Sequence, residues 1–221
     1  MRLIKTHIIL PLLTLVLFST GANARFILNN NTSVDALVIS ESFVDFYNRG
    51  GSVAYSSQTG FEKNNNLVLF LAQYLGNFAL IGLVDGTSDV GDNTGGSLTL
   101  GMNDSSTFSG MFSFIDDPSE SRNLGGRDSQ IFFEWQDERN DGFIYTIDNT
   151  GNVSLNVVLQ SFIGITGVTF INFENNDSSE IEFSDLNRQF TISSPTAVAS
   201  PSSFMILVSM VSLMFFVRAR D

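Results

Sequence analysis

Hydrophobic and polar residues alternate along much of this chain with a period of two, the repeat of a strand that turns one face to a core and the other to water. The clearest stretch is Val153 to Gln160. Val153, Leu155, Val157 and Leu159 fall on one face, and Ser154, Asn156 and Gln160 on the other. Ile131 to Trp135 alternates likewise, grouping Ile131, Phe133 and Trp135 with Glu134 opposite. Phe143 to Ile147, Val168 to Phe173, Ile181 to Phe183 and Phe190 to Ile192 continue the pattern, and Asp141-Gly142, Asn149-Thr150-Gly151 and Asn175-Asn176-Asp177 supply turn-forming residues.

Leu67 to Val84 is apolar enough to suggest a membrane helix, but Gln73 and Gly76-Asn77 interrupt it. Two central strands, Leu67 to Leu75 and Phe78 to Val84, joined by a tight Gly76-Asn77 turn and buried on both faces, fit the interruption better. One helix is predicted, Glu41 to Asn48, capped by Ser40 and stopped by Arg49-Gly50-Gly51, and the same residues also suit a strand. About ten short strands with so little helix predict an all-β fold, an antiparallel β-sandwich of jelly-roll-like form.

The ends depart from this pattern. Arg2 and Lys5 precede the apolar run Ile8 to Phe18, and small residues follow, ending in Ala22-Asn23-Ala24. That order predicts a secretory signal helix over 1–24, removed to leave a chain beginning near Arg25, with an uncleaved N-terminal anchor as the alternative. Phe204 to Val217 carries no charge and is followed by Arg218 and Arg220, predicting a C-terminal hydrophobic helix shorter than the usual span of about 20 residues. Its arginines would stay on the cytoplasmic side. A glycolipid-anchor signal normally ends in its apolar stretch, whereas this chain ends Arg218-Ala219-Arg220-Asp221. Ser193 to Ser203 contains Pro195 and Pro201 and reads as an extended stalk. The expected layout is a signal over 1–24, a β-sandwich domain over 25–192, a Ser/Pro stalk over 193–203 and a sorting or anchoring segment over 204–221.

Val198-Ala199-Ser200-Pro201-Ser202-Ser203-Phe204, the apolar segment after it, and Arg218 with Arg220 resemble the PEP-CTERM sorting tail of exported Gram-negative bacterial proteins. Of the family's Pro-Glu-Pro triplet only Pro201 matches. The resemblance implies that Val198, Pro201, Arg218 and Arg220 belong to a sorting signal handled by an exosortase-type processing enzyme. It further implies transient anchoring in the inner membrane, then residence at the cell surface, outer envelope or extracellular matrix, in association with exopolysaccharide and biofilm. A plain C-terminal anchor is the alternative.

Composition narrows the chemistry of the central part. The chain has 23 acidic residues against 11 basic ones, a formal charge of −12, and four of the basic residues, Arg2, Lys5, Arg218 and Arg220, lie in the end segments. So acidic a surface repels nucleic acid and anionic lipid. The only histidine, His7, lies within the predicted signal, Lys63 is the only lysine beyond it, and there is no cysteine. These absences exclude Ser-His-Asp and Cys-His nucleophile systems, histidine or thiolate zinc sites, and disulfides. Lys63 has no glycine-rich loop beside it with which to cradle phosphate.

Carboxylate chemistry remains. Asp137 to Gly142 resembles the start of a calcium loop, with Arg139 at the third position and Asp148 at the twelfth; the alternative is a solvated hairpin between the strands of Trp135 and Phe143. Asp85, Asp89, Asp92 and Asn93 form a second oxygen-rich stretch. Glu134, Asp137 and Glu138 beside Trp135 have the composition of a glycosidase centre, but Glu134 and Trp135 point to opposite faces of a strand, which makes Trp135 a core residue. Asn30, Asn31, Asn103, Asn152 and Asn176 begin Asn-x-Ser/Thr triplets, relevant only to a eukaryotic secretory route. The expected function is that of an exported, non-enzymatic surface or matrix protein without a cofactor. The alternatives are a carbohydrate-binding module, calcium-dependent or not, using Trp135, Tyr55 or Tyr74, and a carboxylate glycosidase.

Overall fold

The computed structural model describes residues 25–49, 57–86, 95–105, 110–117, 128–136, 139–147, 153–174, 177–183 and 189–194. The predicted signal and the C-terminal sorting segment, with Val198, Pro201, Arg218 and Arg220, lie outside them. No helix among the described residues is long and apolar enough to cross a membrane.

Two sheets make up the fold. The six-stranded sheet runs in the order β2 (Thr32–Asp35), β1 (Arg25–Leu28), β13 (Gln189–Ser193), β10 (Ser154–Ile163), β6 (Gly96–Asp104), β8 (Asp128–Trp135). The seven-stranded sheet runs β12 (Asp177–Phe183), β11 (Gly167–Glu174), β4 (Asn66–Tyr74), β5 (Asn77–Val84), β9 (Asp141–Ile147), β7 (Met111–Ile115), with β3 (Leu37–Val38) also on β4. From β5 to β11, consecutive strands fall in alternate sheets. The period-two faces explain why the sheets meet. Leu98, Leu100 and Met102 of β6, Ile131, Phe133 and Trp135 of β8, and Leu155, Val157 and Leu159 of β10 point inward onto Leu67, Leu69, Leu80, Phe143 and Phe170 of the other sheet. Each such side chain stabilises the fold by about 1.5–3 kcal/mol when fully buried. The all-β sandwich expected from the sequence is therefore present.

Its strands are not all antiparallel, which corrects the sequence reading. β4 pairs parallel with β11 over Asn66 to Phe70 and parallel with β3 at Ala72 and Gln73. Neither pair is joined by a tight hairpin that would force the direction to reverse: the chain changes sheets at Ala36 and reaches β4 from β3 through a long excursion, and β11 follows β4 only after six intervening strands. That excursion includes α1 (Phe43–Tyr47), shorter than predicted and capped by Ser42 in place of Ser40. Ser42 Oγ accepts from the Asp45 amide at 3.2 Å and donates to Asp45 Oδ2 at 2.6 Å, a reciprocal cap that Ser40 is placed too early to make.

The excursion also accounts for the double burial of β4 and β5. Ile39, Phe46, Tyr47 and Phe61 cover the outer face of the seven-stranded sheet, against Val68, Phe70, Ala79, Ile81, Leu83 and Phe173. Phe61 packs edge-on against Phe70 at 5.4 Å and Phe173 at 5.3 Å between ring centroids. Leu67 to Val84 is thus a strand pair, as the sequence indicates, but its turn is Leu75-Gly76, one residue earlier than expected, because Asn77 pairs with Tyr74. Both turn residues are left-handed, with φ of 48° and 81°, as the favoured two-residue hairpin requires.

Two further expectations fail. Asp141-Gly142 is not a turn but the start of β9, paired with Val84 and Leu83. Nor do the strands of Trp135 and Phe143 form a hairpin, since β8 and β9 belong to different sheets and the connection passes from one to the other.

Candidate functional site

The outer face of the six-stranded sheet is lined largely by polar residues. Alternation along its strands sends Ser97, Thr99, Gly101 and Asn103 of β6, Ser154, Asn156, Val158 and Gln160 of β10, and Gln189, Thr191 and Ser193 of β13 away from the core. None of these is charged, and the acids of this face, Asp128 and Glu134, stand on the edge strand β8. Acids are concentrated elsewhere, for example Asp177, Glu180 and Glu182 on the exposed edge strand β12.

Register joins the outward residues into rows. Gly101 lies between Gln130 of β8 and Val158 of β10, and the Gln130 amide donates to the Gln160 side chain across it. A side chain at Gly101 would fill the space these amides use, because a Cβ there would lie 2.7 Å from Gln160 Nε2. One row along, Asn103 donates to Asp128. In the opposite direction, Thr99 faces Phe132, and Ser161 donates to Thr99 Oγ1 at 2.8 Å. Thr191 donates to Asn156 Oδ1 at 2.9 Å. The surface dips around Gly101 into an open concavity of about 360 Å³, walled by Asn103, Asp128, Gln130 and Gln160 and floored by Gly101 and Val158. Amide side chains beside a carboxylate can recognise a ligand that both donates and accepts hydrogen bonds.

Buried acids form a second cluster with a different role. Asp104 Oδ2 accepts from the Gly110 amide at 2.6 Å and the Tyr145 hydroxyl at 3.0 Å, so a residue of the six-stranded sheet is tied to one of the seven-stranded sheet. Asp116 Oδ2 accepts from the Tyr47 hydroxyl at 2.9 Å. Burial, followed by the nearby Asp104 charge and its hydrogen bond, holds the Tyr145 phenol well above its ordinary pKa. Burial, then the charge of Asp116 and its hydrogen bond, does the same for Tyr47, with Asp141 adding to the effect. Both phenols stay protonated and serve as donors. Gly142 makes room for Tyr47, since a Cβ there would lie 2.5 Å from the phenolic oxygen. These contacts fasten the covering excursion and the two sheets.

The residues singled out from sequence separate on the fold. Trp135 is in the core, 4% exposed, its indole lying over Gly96, and its Nε1 has no hydrogen-bond partner among the described residues. It is no sugar platform. Glu134 points outward beside Ser97, away from Trp135. Tyr74 packs edge-on against Phe43 at 6.2 Å. In the expected calcium loop, Asp137, Glu138 and Asp148 lie outside the described residues; Asn140 is fully buried and its Oδ1 accepts from the Ser57 amide at 2.7 Å, while Asp141 and Gly142 are in β9. Asp85 Oδ1 accepts from the amides of Asn65 at 2.6 Å and Gly86 at 2.8 Å, bracing the entry to β4 against the exit from β5, and Asp89, Asp92 and Asn93 lie outside the described residues, as does Tyr55. No group of three or more His, Cys, Asp or Glu side chains among the described residues is placed to hold a metal ion.

Sequence reasoning missed Asn103, Asp128, Gln130 and Gln160. A signal existed in Gly101, an isolated strand glycine of the kind that marks a close approach.

No protein-family model matches the chain, no curated protein matches it, and no solved structure matches it.

Proposed function

We propose that this chain is an exported, non-enzymatic protein of the cell surface or extracellular matrix, delivered by the signal over 1–24 and sorted through the PEP-CTERM-like tail by an exosortase-type enzyme. The observation that carries this reading is the division of labour in the sandwich: Trp135, Asp104, Asp116, Tyr47 and Tyr145 hold the fold together, while the face turned to solvent is a polar, largely uncharged sheet. A jelly-roll-like arrangement is supported by the alternation of sheets from β5 to β11. With no cysteine to form disulfides, packing and these buried hydrogen bonds would carry stability outside the cell.

Fractionation of a Gram-negative host that encodes an exosortase tests the proposal, with one epitope placed after Ala24 and another after Asp221. Export followed by loss of the second epitope, dependent on the exosortase, is the expected result. Retention of the full chain in the cytoplasm would refute it.

A carbohydrate-binding role is the second reading. It is favoured by the amide- and hydroxyl-lined concavity around Gly101.

A further inference from the structure

The outer face of the six-stranded sheet brings the amides of Asn103, Gln130 and Gln160 together with a single acid, Asp128, and that set of groups selects a ligand. We infer that the concavity around Gly101 binds a neutral polysaccharide chain, with Gln130, Gln160, Asn103 and Asp128 taking sugar hydroxyls and Phe132 meeting the apolar face of a pyranose ring. This inference rests on the carbohydrate-binding reading.

The ligand class follows from chemistry at each wall. An amide side chain carries a donor and an acceptor side by side, which matches adjacent hydroxyls that each donate and accept. Gln130 and Gln160 already hold one another across Gly101, and Asn103 holds Asp128, so the groups stand pre-aligned in neighbouring rows. Thr99 and Ser161 extend the hydroxyl-bearing surface toward Phe132, which is paired with Thr99 on β8. Phe132 is the outward aromatic of that strand, since Phe133 is in the core. An outward ring suits a ligand with an apolar body and a polar rim.

Charge excludes the competing classes. A chain of formal charge −12 repels an anionic polymer, and Asp128 in the wall of the concavity strengthens that rejection. A cationic partner would find more counter-charges on β12, where Asp177, Glu180 and Glu182 are exposed, than in the concavity, whose lining holds one acid, Asp128. The glycine at 101 fits the same role, because any side chain there would crowd the Gln160 amide and occupy the floor.

Affinity electrophoresis of the full chain in native gels containing hydroxyethylcellulose, galactomannan or dextran tests the inference, with alginate as the anionic control. Retardation by at least one neutral polymer and none by alginate is expected. Gln130→Ala with Gln160→Ala should weaken retardation roughly tenfold, about the loss of one or two net hydrogen bonds. Gly101→Val should weaken it comparably by filling the floor, whereas Glu182→Ala on β12 should leave it unchanged. Each variant is checked for the thermal transition of the parent chain. Absence of retardation by all three neutral polymers overturns the inference, as does parental retardation in the Gln130→Ala, Gln160→Ala chain. If these variants instead convert a dimer to a monomer without affecting any polymer, the face is a self-association surface and the inference is again overturned. Export and tail processing are read separately, so a chain that reaches the surface yet binds no glycan rejects this inference while leaving the localisation proposal standing.

Discussion

The Tyr47 hydroxyl donates to Oδ2 of Asp116 at 2.9 Å, joining residues 69 positions apart and tying α1 to the end of β7. Burial of this pair makes the bond count: an acidic group inside the fold is stabilised only where donors reach it. Tyr47→Phe removes the donor and is expected to lower stability by about 1–3 kcal/mol in urea or thermal unfolding. The raised pKa of Tyr47 and Tyr145, caused first by burial and then by Asp116 and Asp104, also fixes a direction with pH. Their contribution is full below the unfolded phenol value of about 10 and declines as pH rises above it, because the unfolded chain ionises first. Absorbance at the phenolate band should therefore show Tyr47 and Tyr145 ionising together with alkaline unfolding, not before it.

Gly142 is constrained by the same bond. Its Cβ would lie 2.5 Å from the Tyr47 hydroxyl and 2.4 Å from the carbonyl oxygen of Gly82. Gly142→Ala should cost about 1–3 kcal/mol by overpacking. In a double-mutant cycle with Tyr47→Phe the two effects should add to less than their sum, since either change already disturbs the hydroxyl.

Leu75 is 81% exposed and holds φ at 48° in the β4–β5 turn. A leucine in the left-handed region costs roughly 1–2 kcal/mol relative to a residue that tolerates it. Leu75→Asn, giving Asn before Gly76, should raise the denaturant midpoint without changing the slope of the transition.

Glu62 organises the segment that covers the outer face of the seven-stranded sheet. Its Oε1 accepts from Ser57 Oγ, the Thr59 amide and Thr59 Oγ1, and its Oε2 from the Gly60 amide. Burial pushes its pKa up, but the combined hydrogen bonds outweigh that and hold it below the ordinary glutamate value. The stability it contributes is complete above the unfolded pKa and is lost as pH falls through the lower folded value. Urea midpoints should drop on acidification below about pH 4.3. Glu62→Gln should flatten that limb, and amide exchange should quicken at Thr59 and Gly60.

Trp135 should report on the core and not on any ligand. The indole lies over Gly96, where a Cβ would be 2.3 Å from its Cζ2. Blue-shifted emission shielded from acrylamide is expected of the parent chain, and Gly96→Ala should red-shift it while costing about 1–3 kcal/mol. Addition of a polysaccharide that the chain binds should leave the emission maximum unmoved.

Local pattern made a good part of the fold legible. Ile131, Phe133 and Trp135 share a face in the sequence and share the core in the structure; Val153, Leu155, Val157 and Leu159 do the same. The two-strand reading of Leu67 to Val84 holds because Gly76 marks the turn, and the error of one residue arises because Leu75 takes a backbone conformation that leucine rarely adopts. The site was less legible. Gln130 and Gln160 are 30 positions apart, and only pairing of β8, β6 and β10 sets them on either side of Gly101.

The sequence by itself determined which residues of each strand face inward, because a period of two is a property of the extended backbone and needs no partner. It also determined that no cysteine is available as a nucleophile, metal ligand or disulfide partner. Tertiary structure alone decided which sheet each strand joins, that β4 runs parallel to β11, and that Tyr47 meets Asp116 and Tyr145 meets Asp104. Those outcomes depend on chain segments distant in sequence closing on one another. Loop-closure entropy and packing govern that choice, and alternation along a single strand carries no record of it.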